Sequence, residues 1–297
     1  MSLVLGTVQL GMAYGVANAT GRPDEANARA IVAAALEGGV RDFDTAPGYG
    51  DAEAVLGRAL AASGMSAEAR VFSKVGGEAA DAAAIERSVR DSLTRLGVSR
   101  LAGLLLHRED MLDQWDKGLG AALADLSAGG LVERLGVSVY SPARALQALQ
   151  VEGVGLVQLP ANLLDDRFER AGVLDLARKR GILVHVRSVF LQGLFFLPPS
   201  TAEARAPGSG ELVRRVRALA DRYGLSVHGL ALGFVREACP NAGVLFGAET
   251  VAQVRENLDA WSAPLPARAV ADARSEFHGT PERIVNPTMW DQGRRSA

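Results

Sequence analysis

The chain has 297 residues, of which 48% are hydrophobic, and a formal net charge of −2, which gives no electrostatic case for nucleic acid or an anionic membrane. Cys239 is the single cysteine, so no internal disulfide forms; no basic signal-peptide start precedes the apolar "MSLVLGTVQLGMAYGV", and no run reaches the ~18–20 apolar residues of a membrane span. These features exclude a disulfide scaffold and a bilayer protein, and point to a soluble, cytoplasmic chain long enough for one large α/β barrel or two average domains.

Short β-rich runs alternate with longer helical segments. The strand candidates are "LVLGTVQL" (3–10), "VRDF" (40–43), "RVFSK" (70–74), "LAGLLLH" (101–107), "RLGVSV" (134–139), "VGLVQL" (154–159), "GILVHV" (181–186) and "AGVLFG" (242–247). Several are near-continuous apolar runs, as expected of parallel strands buried on both faces. Between them lie helical patterns, beginning with "PDEANARAIVAAALEGG", which has Pro23 and acids in its first turn and glycines at its end. "DAEAVLGRALAAS", "DAAAIERSVRDSLTRLG" and "MLDQWDKGLGAALADLSAGG" follow, then shorter patterns and "TVAQVRENLDAW" after the eighth strand.

Eight right-handed βα units of this size close into a (β/α)8 TIM barrel, here one domain over 1–297. The rival is an open doubly wound sheet. That fold opens with a G-x-G-x-x-G turn and an immediate helix, and "GTVQLGMAYG" offers no such fingerprint. One segment breaks the rhythm. "LQGLFFLPPSTAEARAPGSG" (191–210) reads as a long loop over the barrel mouth after strand 7, with Phe195 and Phe196 packing part of it.

Active sites of such barrels lie at the C-terminal strand ends. Strand 2 ends at Asp44, strand 3 at Lys74 and strand 4 at His107; Tyr49 lies in the turn after strand 2. Singly, each has an ordinary structural reading: a helix cap, a solvated charge, a satisfied histidine, a packed ring. Together they form a proton-donating set. A phenol with a pKa of about 10 is a poor acid near neutrality, and a nearby ammonium favours its phenolate. A carboxylate keeps that ammonium charged and placed, and an imidazole N–H can orient a carbonyl oxygen. The oxygen must gain negative charge from a nucleophile the chain lacks. No metal-ligand motif is present, so a hydride from a cofactor is the natural source.

With these residues and the motifs "FDTAPGYG", "VFSKVG", "LLLHRED", "GVSVYSP", "VQLPANLLD", "RSVFLQGL" and "GAETVAQVRENL", the sequence resembles the aldo-keto reductase superfamily over nearly its whole length. The resemblance implies a (β/α)8 fold and reversible carbonyl reduction with NADPH or sometimes NADH. Its catalytic tetrad falls on Asp44, Tyr49, Lys74 and His107. Tyr49 is then the general acid, Lys74 and Asp44 its tuning pair and His107 the orienting group. A histidine there, in place of the glutamate of the family's double-bond reductases, favours C=O over C=C reduction.

The same resemblance places Gly6 and Thr7 beside the nicotinamide ribose, and Ser138 and Gln158 on the carboxamide, with Val139 where many members have asparagine. Ser188, Phe190 and Gln192 match the loop touching the pyrophosphate. Arg187 takes the place of an aromatic that stacks on the nicotinamide; a guanidinium also stacks on flat rings, and it would place a cation near the pyrophosphate or a substrate anion. Asn257 matches the adenine contact, with Gln253 on the same helix face. Where many members clamp a 2′-phosphate, this chain has Gly247, Ala248 and Gln253, with Glu249 beside them. Thr250 and the helix N-terminus offer an alternative to that clamp, and the expectation is NADPH, with NADH second.

Two departures shape the remaining expectations. The chain enters strand 1 almost at once, so either something other than the family's N-terminal hairpin closes the barrel floor or the hairpin is trimmed away. Pocket positions that usually carry aromatics hold Val8 and Arg108, pointing to a small polar, anionic or sugar-like carbonyl. Trp290 in the tail either covers the pocket or packs the terminus, and Asp42 reads as structural or functional. The competing functions are a sugar or alcohol dehydrogenase using the same site oxidatively, a non-catalytic cofactor-binding regulator, and a cofactor-free barrel lyase or hydrolase.

Overall fold

The computed structural model describes residues 1–75 and 81–293, so Gly76 of the "VFSKVG" motif lies outside the described residues. Eight parallel strands close into a barrel in sequence order: β1 (Ser2–Gly6), β2 (Asp42–Asp44), β3 (Arg70–Val75), β4 (Gly103–Leu106), β5 (Leu135–Ser138), β6 (Val154–Pro160), β7 (Leu183–Arg187) and β8 (Gly243–Phe246). β8 returns to β1 with Ser2 opposite Gly243 and Leu5 opposite Phe246. All eight expected strands are present. Every residue of β2, β4, β5 and β8 is buried, which accounts for the unbroken apolar or small-residue sequences of β4, β5 and β8; β2, Asp-Phe-Asp, buries two carboxylates instead.

Strand alternation divides the side chains. Leu3, Leu5, Phe43, Val71, Leu104, Leu106, Val137 and Val157 point outward into the helical layer. Inside, Phe72, Leu105, Leu156 and Leu183 form a separate middle layer, with His185 edge-on to Phe72 at 4.4 Å. Below it the floor is closed by polar side chains. Ser2 Oγ donates to Asp42 Oδ2 at 3.0 Å, and Arg70 Nη2 donates to the same oxygen at 2.8 Å. Asp42, read from the sequence as structural or functional, is therefore a floor residue. Above the middle layer Asp44, Lys74 and Gln158 face the mouth.

The structure departs from the sequence expectations in four places. β1 stops at Gly6, and Val8–Gly11 is one helical turn, closed by Leu10 N–H to Thr7 O at 2.9 Å and Met12 N–H to Val8 O at 3.1 Å. An unbroken apolar run hides such a switch from periodicity. The single helix expected over 111–130 is a 3₁₀ segment, Glu109–Lys117, and a helix, Leu119–Ala128, parted at Gly118 with φ 108°. The 191–210 segment is folded: a 3₁₀ turn, Leu191–Phe196, then a helix, Pro199–Arg205, before the long helix Ser209–Arg222. Its corner is tied by Glu203, which accepts from Gly208 N–H at 2.8 Å and Gly210 N–H at 2.9 Å. The tail adds Ala267–Phe277 and Glu282–Val285 on the mouth side, where Glu282 pairs with Arg167 at 2.6 Å. Trp290 donates its indole N–H to Ile284 O at 3.0 Å and packs the terminus. Among the described residues no helix is long and apolar enough to cross a membrane.

Candidate active site

A cavity of about 450 Å³ opens at the C-terminal ends of the strands. Asp44, Tyr49, Lys74 and His107 all line it. Asp44 ends β2 and Lys74 lies one residue before the end of β3, each on an inward position. The Lys74 ammonium donates to Asp44 Oδ1 at 2.6 Å and to Thr45 O at 3.1 Å, and both side chains are almost fully buried. The second Asp44 oxygen accepts from Gln158 Nε2 at 2.8 Å. A buried pair of this kind holds only when its remaining hydrogen-bonding capacity is largely met; here both carboxylate oxygens and two of the three ammonium protons have partners.

Tyr49 reaches the mouth on a turn that docks against the helical turn after β1. A Cβ on Gly11 would fall 1.8 Å from the Tyr49 carbonyl oxygen, so only glycine permits this approach. The Tyr49 ring then lies edge-on to His107, centroids 5.7 Å apart at 85°, with the Lys74 ammonium 4.9 Å from its centre.

The electrostatics follow from burial. Burial pushes the Tyr49 phenol up, against the pull of Lys74. For Lys74, burial alone would depress the ammonium, but Asp44 and then Tyr49 outweigh it and hold it above its usual range. His107 is pushed down to about 4, by burial first and the Lys74 charge second, so its imidazole is neutral at physiological pH. The group near neutrality is thus a protonated phenol, a charged ammonium and an uncharged imidazole.

The other expected positions divide. Gly6, Thr7, Ser138, Gln158, Arg187, Ser188, Phe190, Gln192, Gly247, Gln253 and Asn257 line the same cavity, and so does Val8. Thr250 does not. Its side chain caps the helix Val251–Ser262 by accepting from Gln253 N–H at 3.2 Å, so it is spent on the backbone rather than open to an anion. Arg108 is likewise outside the cavity: it is exposed and forked onto Asp110 at 3.0 and 2.6 Å. Polarity expected from Arg108 comes instead from Arg187.

Sequence reasoning missed Gln9, Tyr14, Tyr140, Phe196, His228 and Glu256 in the cavity wall. Phe196 and His228 stack at 4.2 Å, and Phe190 closes on both rings. Only the unexplained apolar pair at 195–196 gave any signal of this aromatic box. The loop after β7 carries Ser188, Leu191 and Gln192 at φ 63°, 47° and 57°, left-handed conformations that cost about 1–3 kcal/mol each for a non-glycine. The loop after β1 crosses it, with Val16 N–H bonded to Gln192 O at 2.9 Å, and reaches the loop after β8, where Thr20 Oγ1 donates to Glu249 Oε2 at 3.4 Å.

Two cavity-wall acceptors, Asn257 Oδ1 and Gln9 Oε1, are buried and have no hydrogen-bond partner. Buried acceptors without partners are rare and costly. The amino group of an adenine and the amide of a carboxamide are donors of the kind they lack. Gly247 carries no Cβ where one would strike Gln9 at 2.4 Å, which keeps the channel floor close to backbone. The residues present therefore fit a nicotinamide dinucleotide. Among the described residues, no group of three or more His, Cys, Asp or Glu could hold a metal ion.

A family model described as "Aldo/keto reductase family" matches residues 2–275. The chain is 29% identical to the 6-dehydroglucose reductase of Novosphingobium aromaticivorans over 254 residues, covering 79% of this chain and 80% of that one. It is 26% identical over 259 residues to the NADH-specific methylglyoxal reductase of Escherichia coli, covering 75% and 78%. Its fold superimposes on the glycerol dehydrogenase of Gluconobacter oxydans with a TM-score of 0.74 at 26% identity, over 94% of this chain and 93% of that one.

Proposed function

The chain belongs to the aldo/keto reductase family of NAD(P)H-dependent oxidoreductases, and from that premise we propose that it reduces the carbonyl of a small polar molecule to an alcohol, with Tyr49 as proton donor. One observation carries this reading: a phenol, a buried ammonium–carboxylate pair and a neutral imidazole converge on one rim of the barrel. A nicotinamide dinucleotide held there would supply a hydride to the carbonyl carbon. The chain's own residues manage the oxygen. Tyr49 Oη gives it a proton, and the adjacent Lys74 ammonium stabilises the phenolate left behind. Asp44 keeps Lys74 charged and in place. His107, uncharged, directs a ring N–H at the same oxygen and so fixes the approach of the carbonyl.

Gly6, Thr7, Ser138, Gln158 and Gln9 would hold the nicotinamide end, the strained β7 loop with Ser188 and Gln192 the pyrophosphate, and Gln253, Asn257 and the Phe190–Phe196–His228 box the adenosine. The cavity wall on the β8 side carries Glu249 and Glu256, and among the described residues no lysine or arginine lines it there. Such a wall opposes a 2′-phosphate and suits a ribose hydroxyl. It turns the choice toward NADH, away from the NADPH expected from the family. The relation to a glycerol dehydrogenase supports oxidation of a polyol or sugar alcohol as the second reading, with the same phenol and phenolate exchanging roles. The reductase substrate is polar or sugar-like, in keeping with the 6-dehydroglucose reductase relative.

A panel of aldehydes, ketones and aldoses with NADH and NADPH tests this reading. Tyr49→Phe is expected to lose about 10²–10⁴-fold in kcat while the cofactor Kd, read by fluorescence titration, moves less than threefold. Turnover retained by Tyr49→Phe would remove Tyr49 from its role, and failure to bind either cofactor would move the chain to a lyase or hydrolase.

A further inference from the structure

Three of the chain's four tyrosines, Tyr14, Tyr49 and Tyr140, line the cavity, and Arg187 lines it with them. The guanidinium ends β7 and lies over the Tyr140 ring, 4.0 Å from its centroid. It donates to Val139 O at 3.1 Å and Ser188 Oγ at 3.3 Å. Tyr140 is held in turn by Glu109, whose carboxylate accepts its N–H at 2.7 Å. The arginine is thus fixed from three sides before any ligand arrives.

Among the described residues Arg187 has no carboxylate partner, and the other lining cation, Lys74, is neutralised by Asp44. A guanidinium carries five N–H donors, of which two are used here. Its stacking is already met by Tyr140, so its unspent capacity is charge and donors. That charge reaches the reacting groups: it pulls on Tyr49, Tyr14 and His107. An uncompensated, half-buried, pre-organised guanidinium next to the proton donor is built for an anion on the substrate.

We propose that Arg187, with the Tyr14 and Tyr140 hydroxyls around it, is an anion subsite that selects carbonyl substrates bearing a carboxylate or phosphate group. The proposal rests on the carbonyl-reductase reading and names the substrate class for that site. The anion would be seated by Arg187 while the carbonyl oxygen lies between Tyr49 and His107. Arg187 is then a substrate anchor, the choice among the nicotinamide ring, the pyrophosphate and a substrate anion that its place in the sequence left open.

The test pairs charged and neutral carbonyls of matched length: 4-oxobutanoate against butanal for a carboxylate, and glyceraldehyde 3-phosphate against glyceraldehyde for a phosphate. Wild type should prefer one or both anions in kcat/KM, and the pair with the larger ratio identifies the anion source. In Arg187→Met that ratio should fall on the order of 30- to 100-fold, chiefly through KM, and Arg187→Lys should restore part of it. Cofactor Kd should stay within threefold in both variants. Two results overturn the subsite: equal kcat/KM for the charged and neutral members of both pairs in wild type, or a loss in Arg187→Met carried by cofactor Kd. Binding that does not need turnover keeps the two readings apart. Calorimetric titration of the wild-type cofactor complex with succinate and inorganic phosphate should give heat that Arg187→Met abolishes, and identical heats in both proteins would sink the subsite whatever the reductase assay gives.

Discussion

β2 carries two inward carboxylates two residues apart, and they end in opposite environments. Asp42 closes the floor with Ser2 and Arg70, whose side chain is 58% exposed. Asp44 faces the mouth, bonded to Lys74 and Gln158, with the ammonium side chain 1% exposed. Same strand, same face and the same kind of partner give two functions, because the floor arginine is solvated and the mouth lysine is not. In water the ion pair is screened and its partner is replaceable; in the dry mouth the pair's charge acts on whatever lies beside it, and Tyr49 lies beside it.

The mouth pair should be the more sensitive by a wide margin. Lys74→Met leaves the Asp44 carboxylate buried with only the Gln158 amide, a change that costs about 3–5 kcal/mol. It also removes the charge that stabilises a Tyr49 phenolate, so kcat should fall on the order of 10²–10⁴-fold. Urea melts and steady-state kinetics on one preparation check both. A Lys74→Met protein that melts like wild type and turns over within tenfold of it would show that the two ends of β2 do not differ as described.

Much of this was legible in the sequence, and the reasons it was legible are physical. Parallel strands buried on both faces are largely apolar, so several near-continuous apolar runs, alternating with helical patterns, marked the eight strands. The layer of the barrel that holds chemistry lies at the strand ends, so "FD", "SK" and "LLLH" marked Asp44, Lys74 and His107. Tyr49 followed from its turn. Tyr14, Tyr140 and Glu109 were not legible, because loop residues meet through tertiary docking that leaves no period. Thr250 was misplaced for a related reason: as a helix cap and as an anion ligand, a threonine before a helix reads the same, and only the bond to Gln253 N–H separates them. Arg108 falls on a pocket position of the family pattern that usually carries an aromatic, but Asp110, two residues on, draws it to solvent. The floor was unreadable because Asp42 and Asp44 differ only in depth.

Between the two ends sits His185, in the middle layer against Phe72. Burial pushes it down to about 4; Asp44 and Asp42 raise it, Lys74 and Arg70 lower it further, and its Nδ1 has no partner. Its folded-state pKa lies below the ordinary 6.5, so the unfolded chain binds more protons between those values. Its contribution is complete above about pH 6.5 and is lost as the pH falls toward 4, reaching on the order of 3 kcal/mol. His185→Gln removes the titration. Its urea-melt stability should fall less steeply than wild type between pH 6.5 and 4, by most of one proton. Equal slopes would mean that the middle layer admits water and does not insulate the mouth from the floor.

The smallest effect is expected at the floor itself. Asp42→Asn keeps an oxygen for the Ser2 hydroxyl and removes a charge whose partner, Arg70, is solvated and can turn to water. Stability should drop by about 1 kcal/mol, the upper end of the range for surface pairs, since Asp42 is buried but its partner is solvated, and the drop should shrink in high salt. kcat should stay within twofold, since Phe72, Leu105, Leu156 and Leu183 separate Asp42 from the reacting groups. Denaturant melts at low and high salt, with kinetics alongside, read both quantities. A tenfold fall in kcat from Asp42→Asn would mean that the charge at one end of β2 is felt at the other, and that the apolar layer transmits where it was expected to separate.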